Sequence, residues 1–347
     1  MSPRPSIKDI ARLAQVTPST VSRALAGSDR ISAETRQRVQ TIARELGYTP
    51  SVAARSLVTG ASQTFGILAP TLSDPYVAAV MGGIEAACLD AGYHLIVAST
   101  AGDPRREIEA FRVVMGQQPD GLIILSARAG HAYETVLKGV EVPVVFINSA
   151  QPGERVFSIA TDNEHGGWLA TRHLLDLGHR RIAYLGGPTA GRSHQARAAG
   201  YRRALQEAGL RFDPELVLPG DGSLAAGRAA LARLLERKAD GKPTALFCYN
   251  DLSALGLLAE AHRRGLRLPD DLSVVGFDNV PYAEISLPPL TTVDQRKEEL
   301  GRLAVLTLLA ARRREPVSDI RLRGDLIIRE STAPPRMDDG RRTDDGR

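Results

Sequence analysis

From residue 64 onward, short apolar runs alternate with longer segments of helical periodicity, and this alternation constrains the fold more than any other feature of the chain. The runs, each long enough for one strand, are 65–69, 94–98, 121–125, 142–148, 181–186, 216–218, 245–248 and 273–277. Continuous apolar strands that alternate with helices indicate parallel sheets covered by helices on both faces. So many βα units would strain a single doubly wound sheet, and we therefore expect two α/β lobes.

The excess positive charge of the chain is concentrated near its N-terminus. Residues 1–61 hold nine Lys or Arg and four Asp or Glu, a net charge of +5, whereas the whole chain has a net charge of +4. The remaining residues therefore carry a net charge of −1. A small basic segment attached to a neutral body is typical of a nucleic-acid-binding module joined to another domain, although a basic tail without a specific partner would give the same balance.

Capping signals divide this basic segment into three helices. The tetrapeptide SIKD at 6–9 has the form of a capping box at the start of the first helix. Thr17-Pro18 begins the second helix, and Ser32 caps the third. Two short helices that are joined by a tight turn and braced by a third form the small all-α helix-turn-helix plan, whose second helix enters the major groove of DNA.

The second helix has an exposed side of small polar residues with one arginine, which is what groove reading requires. Serine and arginine side chains reach base edges, and arginine reads guanine with two hydrogen bonds. The alternative is a three-helix cap that does not touch DNA. The residues expected to contact DNA are Thr17, Pro18, Ser19, Thr20, Ser22 and Arg23.

Several motifs in the first sixty residues resemble the amino-terminal domain of the LacI/GalR-type bacterial transcription regulators. They are IKDIA, V-T-x-x-T-V-S-R, I-S-x-x-T-R-x-x-V and LGYxPxxxARxL, and the resemblance continues to about residue 331. It implies a DNA-binding regulator, most often a repressor, whose affinity for its operator is controlled by a small-molecule effector. Because one small helix-turn-helix domain gives little affinity for DNA, we expect a homodimer on a near-palindromic double-stranded operator.

The segment that follows the third helix is short. A helix of its length is below the limit at which isolated helices become marginal, so by itself it is a linker, disordered in the free protein. The resemblance implies a hinge helix that folds on DNA, where Leu57 enters the minor groove beside Ala53 and Ala54. The alternative for Leu57 is a buried contact under the large domain.

The resemblance also implies how the chain divides, with a large domain similar to a two-lobed periplasmic sugar-binding protein. The expected boundaries are 1–49 for the helix-turn-helix domain, 50–62 for the hinge helix and linker, 63–331 for effector binding and dimerisation, and 332–347 for a disordered tail. We expect lobe one at about 63–161 and 294–323, and lobe two at about 162–293 and 324–331, so that the chain crosses between the lobes three times.

Polar residues that follow the predicted strands mark the cleft between the lobes. In the family the matching positions line the effector site, and they are Tyr76, Asn148, Ser193, Arg197, Asn250 and Asp278. Asp278 could instead cap a turn, and Arg197 could be an ion-pair partner. Gly222 and Ser149 stand where a base-binding relative would stack a ring. We therefore expect a cleft poor in aromatic side chains and an effector that is a sugar or a sugar derivative rather than a flat purine.

No pattern of a catalytic or cofactor-binding site is present. The G-x-G-x-x-A match at 220–225 lies too deep in the chain for a dinucleotide site, and neither a phosphate loop nor a nucleophile elbow occurs. Two cysteines do not make a cysteine zinc site. We expect no enzymatic activity, no cofactor and no bound metal.

Membrane and export signals are also missing from the sequence. The longest apolar run, 303–311, has nine residues against the roughly 20 that span a bilayer, and the N-terminus lacks a signal peptide. We expect a cytoplasmic protein with no membrane contact. The alternatives are a solute-binding protein, which would need a secretion signal, and a sugar-modifying enzyme of similar α/β fold, which would need catalytic groups.

Overall fold

The computed structural model describes residues 5–25, 28–48, 61–188, 191–238 and 241–336. The residues expected to form the hinge helix, Ala53, Ala54 and Leu57 among them, lie outside this part of the chain.

The N-terminal part is a three-helix unit of helix-turn-helix form. Its helices are α1 (Ile7–Ala14), α2 (Pro18–Leu25) and α3 (Ala33–Glu45). One side chain from each helix, Ile10, Val21 and Val39, is fully buried where the three helices meet. The SIKD box begins α1 because the carboxylate of Asp9 accepts hydrogen bonds from the backbone N–H and the hydroxyl of Ser6, at 3.0 and 2.7 Å.

The first α/β lobe is built on a six-stranded parallel sheet in the order β11-β5-β4-β3-β1-β2. The strands are β1 (Thr64–Ala69), β2 (His94–Ser99), β3 (Gly121–Leu125), β4 (Val144–Ile147), β5 (Val156–Thr161) and β11 (Ile320–Leu322). Apolar cores on the two faces of this sheet pack it against α4 (Pro75–Asp90), α5 (Pro104–Met115), α6 (Ala132–Val136) and α12 (Lys297–Arg312). The near-continuous burial of β1, β3 and β4 explains their apolar sequences.

The second lobe is built on a four-stranded parallel sheet in the order β7-β6-β8-β9. The strands are β6 (Ile182–Leu185), β7 (Val217–Leu218), β8 (Ala245–Cys248) and β9 (Ser273–Val275). Two further cores cover its faces with α7 (Asn163–Asp176), α8 (Arg192–Glu207), α9 (Leu224–Leu235) and α10 (Asp251–Arg263), and the short α11 (Pro281–Ile285) follows β9. The expected pair of doubly wound parallel sheets is therefore confirmed.

A feature that the sequence did not indicate is a separate antiparallel pair, β10 (Thr292–Asp294) with β12 (Asp325–Ile327). These strands lie at two of the places where we expected the chain to cross between lobes. They connect α12 and β11, which belong to the first lobe, to the second lobe.

The expected start of a disordered tail at residue 332 is wrong. The carbonyl oxygen of Ala333 lies 2.9 Å from His179 Nε2, and its N–H donates to Ser273 Oγ at 3.0 Å. The guanidinium of Arg336 pairs with Asp270 at 2.5 Å. Residues 332–336 are thus part of the second lobe, because polar groups far away in the sequence provide their partners.

Candidate functional site

The exposed surface of α2 carries the residues that we expected to contact DNA. Thr17 caps this helix, since its Oγ1 accepts a hydrogen bond from Thr20 N at 3.2 Å and lies 2.8 Å from Ser19 Oγ. Arg23 is exposed and has no ion-pair partner among the described residues, so its guanidinium is free to reach a phosphate or a base edge. The rest of the expected set is Pro18, which is exposed, and Ser22, which is half-buried.

Arg197 is a buried cation of the large domain whose side chain is held by several contacts. Its side chain, on the second turn of α8, is only 4% exposed. Its Nε donates to Asn163 Oδ1 at 2.9 Å, and its Nη1 donates to the carbonyl oxygen of Tyr249. The guanidinium lies 3.7 Å from the ring centre of Phe277. Hydrogen bonds and a ring face therefore hold Arg197 in one orientation.

Asp278 lies beside this guanidinium. Its Oδ1 is 3.8 Å from Arg197 Nη1, and it accepts a hydrogen bond from Gln295 Nε2. Burial raises the pKa of Asp278 well above its ordinary value, and the charge of Arg197 opposes this shift. The backbone φ of Asp278 is +121°, a strained conformation of the kind found at functional sites. Asp278 does not cap the following helix, because the residue before α11 is Val280.

Tyr76 and Asn148 come together at the edge of the first sheet. Asn148 directly follows β4, and its Nδ2 donates to the hydroxyl of Tyr76 at 2.5 Å, while its Oδ1 accepts from Thr161 N at 2.9 Å. Burial raises the pKa of the Tyr76 phenol, and the nearby charge of Asp278 adds to this shift. Tyr76 of the first lobe is therefore close to Asp278 of the second.

Asn250 and Ser193 are placed differently. Asn250 caps α10, since its Oδ1 accepts from Ser253 N at 3.0 Å, and its Nδ2 donates to Gly222 O at 2.9 Å. The side chain of Asn250 thus already has partners at both ends. Ser193 lies in the first turn of α8 and lines a cavity that also contacts Asn148.

The close packing of α7 on α8 fixes where Arg197 lies. A Cβ on Gly167 would lie 2.4 Å from Arg197 O, and a Cβ on Gly200 would lie 2.0 Å from Glu164 O. Both contacts are too short for a real carbon atom, so glycine is required at the crossing of the two helices. This approach brings Arg197 within reach of Asn163.

The expectation of a cleft poor in aromatic side chains is wrong. Tyr249 and Phe277 flank the Arg197 guanidinium, and Tyr76 faces the same region. Gly222 has a backbone φ of +84°, and a Cβ there would lie 3.2 Å from the Tyr249 ring, so glycine suits this position. Tyr249 and Phe277 each end an apolar run, and their position just beyond a parallel strand was the signal that would have identified them.

A cavity of about 220 Å³ lies where the two lobes meet. Thr161 and Ser149 line it, and their buried hydroxyls have no hydrogen-bond partner within the described ranges. Gln295 Oε1, next to Asp278, is also buried and unpartnered there. Buried polar atoms are nearly always paired, and the hydroxyls of Thr161 and Ser149, two residues that line this cavity, are exceptions.

No helix in the described part of the chain is long and apolar enough to span a membrane. The same residues contain no group of three or more His, Cys, Asp or Glu side chains that could hold a metal ion.

Comparison with known proteins decides the family. Residues 6–51 match bacterial regulatory proteins of the lacI family, and residues 171–332 match a periplasmic binding protein-like domain. Over 305 residues the chain is 36% identical to the HTH-type transcriptional repressor PurR of Aliivibrio fischeri strain MJ11, with 88% of this chain and 90% of that protein covered. The chain belongs to the lacI family of bacterial regulatory proteins.

Two solved structures of similar architecture extend this result. The lac repressor dimer bound to operator and the anti-inducer ONPF matches this chain with a TM-score of 0.84 and 28% sequence identity. The transcriptional regulator CelR–cellobiose complex matches it with a TM-score of 0.71 and 32% sequence identity. Each comparison covers 95% of this chain and 100% of the other. The lacI-family member described here is thus a transcription regulator with a DNA-binding domain and an effector-binding domain, and not an enzyme.

Proposed function

We propose that this lacI-family regulator is a repressor that binds its operator through α2 and releases or tightens its hold when a sugar or sugar derivative enters the cleft of the large domain. The observation that carries the effector site is the buried Arg197–Asp278 pair, 3.8 Å apart, in which Arg197 lies beside the rings of Tyr249 and Phe277. Gln295 donates to Asp278 through its Nε2 and so fixes the orientation of the carboxylate.

At the DNA, Arg23 contacts a base edge or a phosphate, and the small side chains of Thr17, Ser19 and Ser22 allow close approach of α2 to the groove. Pro18 and Thr20 complete this surface. In the segment outside the described residues, Leu57, together with Ala53 and Ala54, forms the hinge element that enters the minor groove. The domain boundaries given above, with a hinge at 50–62 and the second lobe extended to residue 336, go with this proposal.

In the cleft, Arg197 donates to ligand oxygens and Asp278 accepts from ligand hydroxyls, so the pair orients a polyhydroxylated ring. The rings of Tyr76 and Tyr249 pack on its apolar face. Asn148, Ser193 and Asn250 give further polar contacts. The binding of cellobiose by a relative of the same architecture supports a carbohydrate effector.

The protein acts as a homodimer on a near-palindromic operator. The structure of the lac repressor as a dimer bound to operator supports the dimer. Its place of action is the cytoplasm, where bacterial operators are. The effector controls the operator by closing or opening the lobes. A thousandfold change in operator affinity requires about 4 kcal/mol of preference between the two states.

One experiment tests the whole proposal. The operator is selected from a pool of random duplexes, and its dissociation constant is then measured with and without sugars, sugar phosphates and nucleobases that shift the melting temperature. A selected palindromic site whose affinity responds to a sugar supports the proposal. Absence of any selected sequence, or a response to a nucleobase alone, contradicts it.

A further inference from the structure

Two exposed arginines without ion-pair partners among the described residues line the cavity between the lobes. Arg192 begins α8 and Arg321 is in β11, and both line the cavity. Neither forms an ion pair within the parts of the chain that the structure describes. Arginines without carboxylate partners at a ligand cavity raise the local positive potential and attract anions.

The two carboxylates that line the same cavity are engaged elsewhere. Asp162 caps α7, since its Oδ1 accepts from His165 N at 3.1 Å. Glu164 pairs with Arg203, with Oε1 and Nη1 3.1 Å apart. Arg192 and Arg321 therefore form no ion pair with either carboxylate, and both guanidinium groups keep their donors free for a ligand.

The first turn of α8 adds backbone donors to this cation pair. Gly191, the residue before the helix, provides no side-chain cap, whereas most of the long helices of the large domain have one. The uncapped N–H groups of this turn, with the positive end of the helix dipole, favour an anion. Thr161 is only 3% exposed and lines the same cavity, and its Oγ1 has no hydrogen-bond partner among the described residues.

We propose that the effector carries an anionic group, a carboxylate or a phosphate, which Arg192, Arg321 and the first turn of α8 hold while the Arg197–Asp278 pair binds the hydroxyl groups. The effector class is then a sugar acid or a sugar phosphate rather than a neutral sugar. This inference depends on the proposed effector site in the cleft. It adds a specific chemical group and the residues that recognise it.

The test uses matched compounds that differ in one group. Glucose is compared with glucuronate and glucose 6-phosphate, galactose with galacturonate, and ribose with ribose 5-phosphate, at constant ionic strength. The melting temperature of the full chain and its operator affinity are measured for the wild type, Arg192→Ala and Arg321→Ala. Arg323→Ala is the control, because Arg323 is exposed and close in sequence to Arg321 but does not line the cavity.

We expect at least one acid or phosphate ester to bind more tightly than its neutral partner, with an affinity that falls as salt is added. Arg192→Ala and Arg321→Ala should each weaken that binding by about tenfold or more, while Arg323→Ala binds as the wild type does. Operator binding without ligand should be unchanged in all three variants.

Two results would overturn the inference. In the first, the neutral sugars bind as well as their charged partners and both variants bind like the wild type, in which case the effector site stands without an anion site. In the second, a charged compound binds better than its neutral partner, but Arg192→Ala and Arg321→Ala bind it as tightly as the wild type does. The selection of an operator from random duplexes is independent of these compounds, so failure of the DNA-binding proposal is recognised separately.

Discussion

Arg197 Nη1 and Asp278 Oδ1 lie 3.8 Å apart, and both side chains are more than nine-tenths buried. The two residues belong to different elements, Arg197 to α8 and Asp278 to the segment after β9. Breaking a buried pair by removing one partner leaves an uncompensated charge. Tyr76 of the first lobe is close to both charges, so the pair lies near the junction of the two lobes.

Arg23 provides the test of the DNA-binding surface. If it reads a base, Arg23→Ala should weaken binding to the selected operator by about 1–3 kcal/mol and leave binding to random DNA nearly unchanged. Fluorescence anisotropy with both duplexes measures the two losses. Arg105→Ala, an exposed arginine in α5 of the large domain, is the control. Equal losses on both duplexes would make Arg23 a phosphate contact, and no loss would remove it from the interface.

Leu57 provides the test of the hinge. Leu57→Ala should reduce operator affinity and DNA bending, because an apolar wedge that unstacks a base step is lost. Effector affinity and the melting temperature of the large domain should stay unchanged. If the variant instead lowers the stability of the large domain by the roughly 2–5 kcal/mol of a truncated core leucine, Leu57 is a packing residue.

The crossing of α7 and α8 provides a test of how Arg197 is positioned. Gly167→Ala places a carbon atom 2.4 Å from Arg197 O, and the resulting strain should cost about 1–3 kcal/mol of unfolding free energy and weaken effector binding. Gly82→Ala, in α4, has nothing within 4 Å of the new carbon and should be neutral or slightly stabilising. Urea unfolding and ligand titration measure both effects. Equal behaviour of the two variants would contradict this account of Arg197.

His179 links stability to pH. Burial lowers its pKa, and its two ring nitrogens lie 2.8 Å from Thr244 Oγ1 and 2.9 Å from Ala333 O. The unfolded chain therefore takes up a proton more readily than the folded one, so stability should fall as pH decreases from the unfolded value of about 6.5 through the lower folded value. Unfolding at a series of pH values should show a flatter profile for His179→Gln. The exposed His262→Gln should keep the wild-type profile, and a flattening there as well would exclude His179 as the cause.

The fold followed from the sequence where the signals are local. The capping signals at SIKD, Thr17-Pro18 and Ser32 each involve residues within three or four positions of one another. The structure has a helix that begins at each of these signals. The strands could be predicted because a strand that is buried on both faces has an unbroken apolar run. Such a run can be recognised without knowing which strands and helices pack against it. The family resemblance then supplied the expected connection between the lobes.

The hydrogen-bond partners of the cleft residues could not be predicted from the sequence, because they depend on contacts between distant parts of the chain. Gln295 is seventeen residues from the Asp278 carboxylate to which it donates. The carbonyl of Tyr249, fifty-two residues from Arg197, accepts from its guanidinium. Nor could the sequence show that the carbonyl oxygen of Ala333 would contact His179, because neither residue belongs to a periodic pattern.

The most direct test of the central claim is the operator dissociation constant of Asp278→Ala with and without the effector found by screening. The account predicts that this variant binds operator as the wild type does, yet shows no change over at least a tenfold range of effector concentration around that which acts on the wild type. Loss of the carboxylate removes a hydrogen-bond acceptor worth about 1.5–3 kcal/mol to the bound ligand. Calorimetry on the folded variant separates weaker binding from lower stability. A full response of Asp278→Ala to the effector would contradict the account and place the effector site elsewhere.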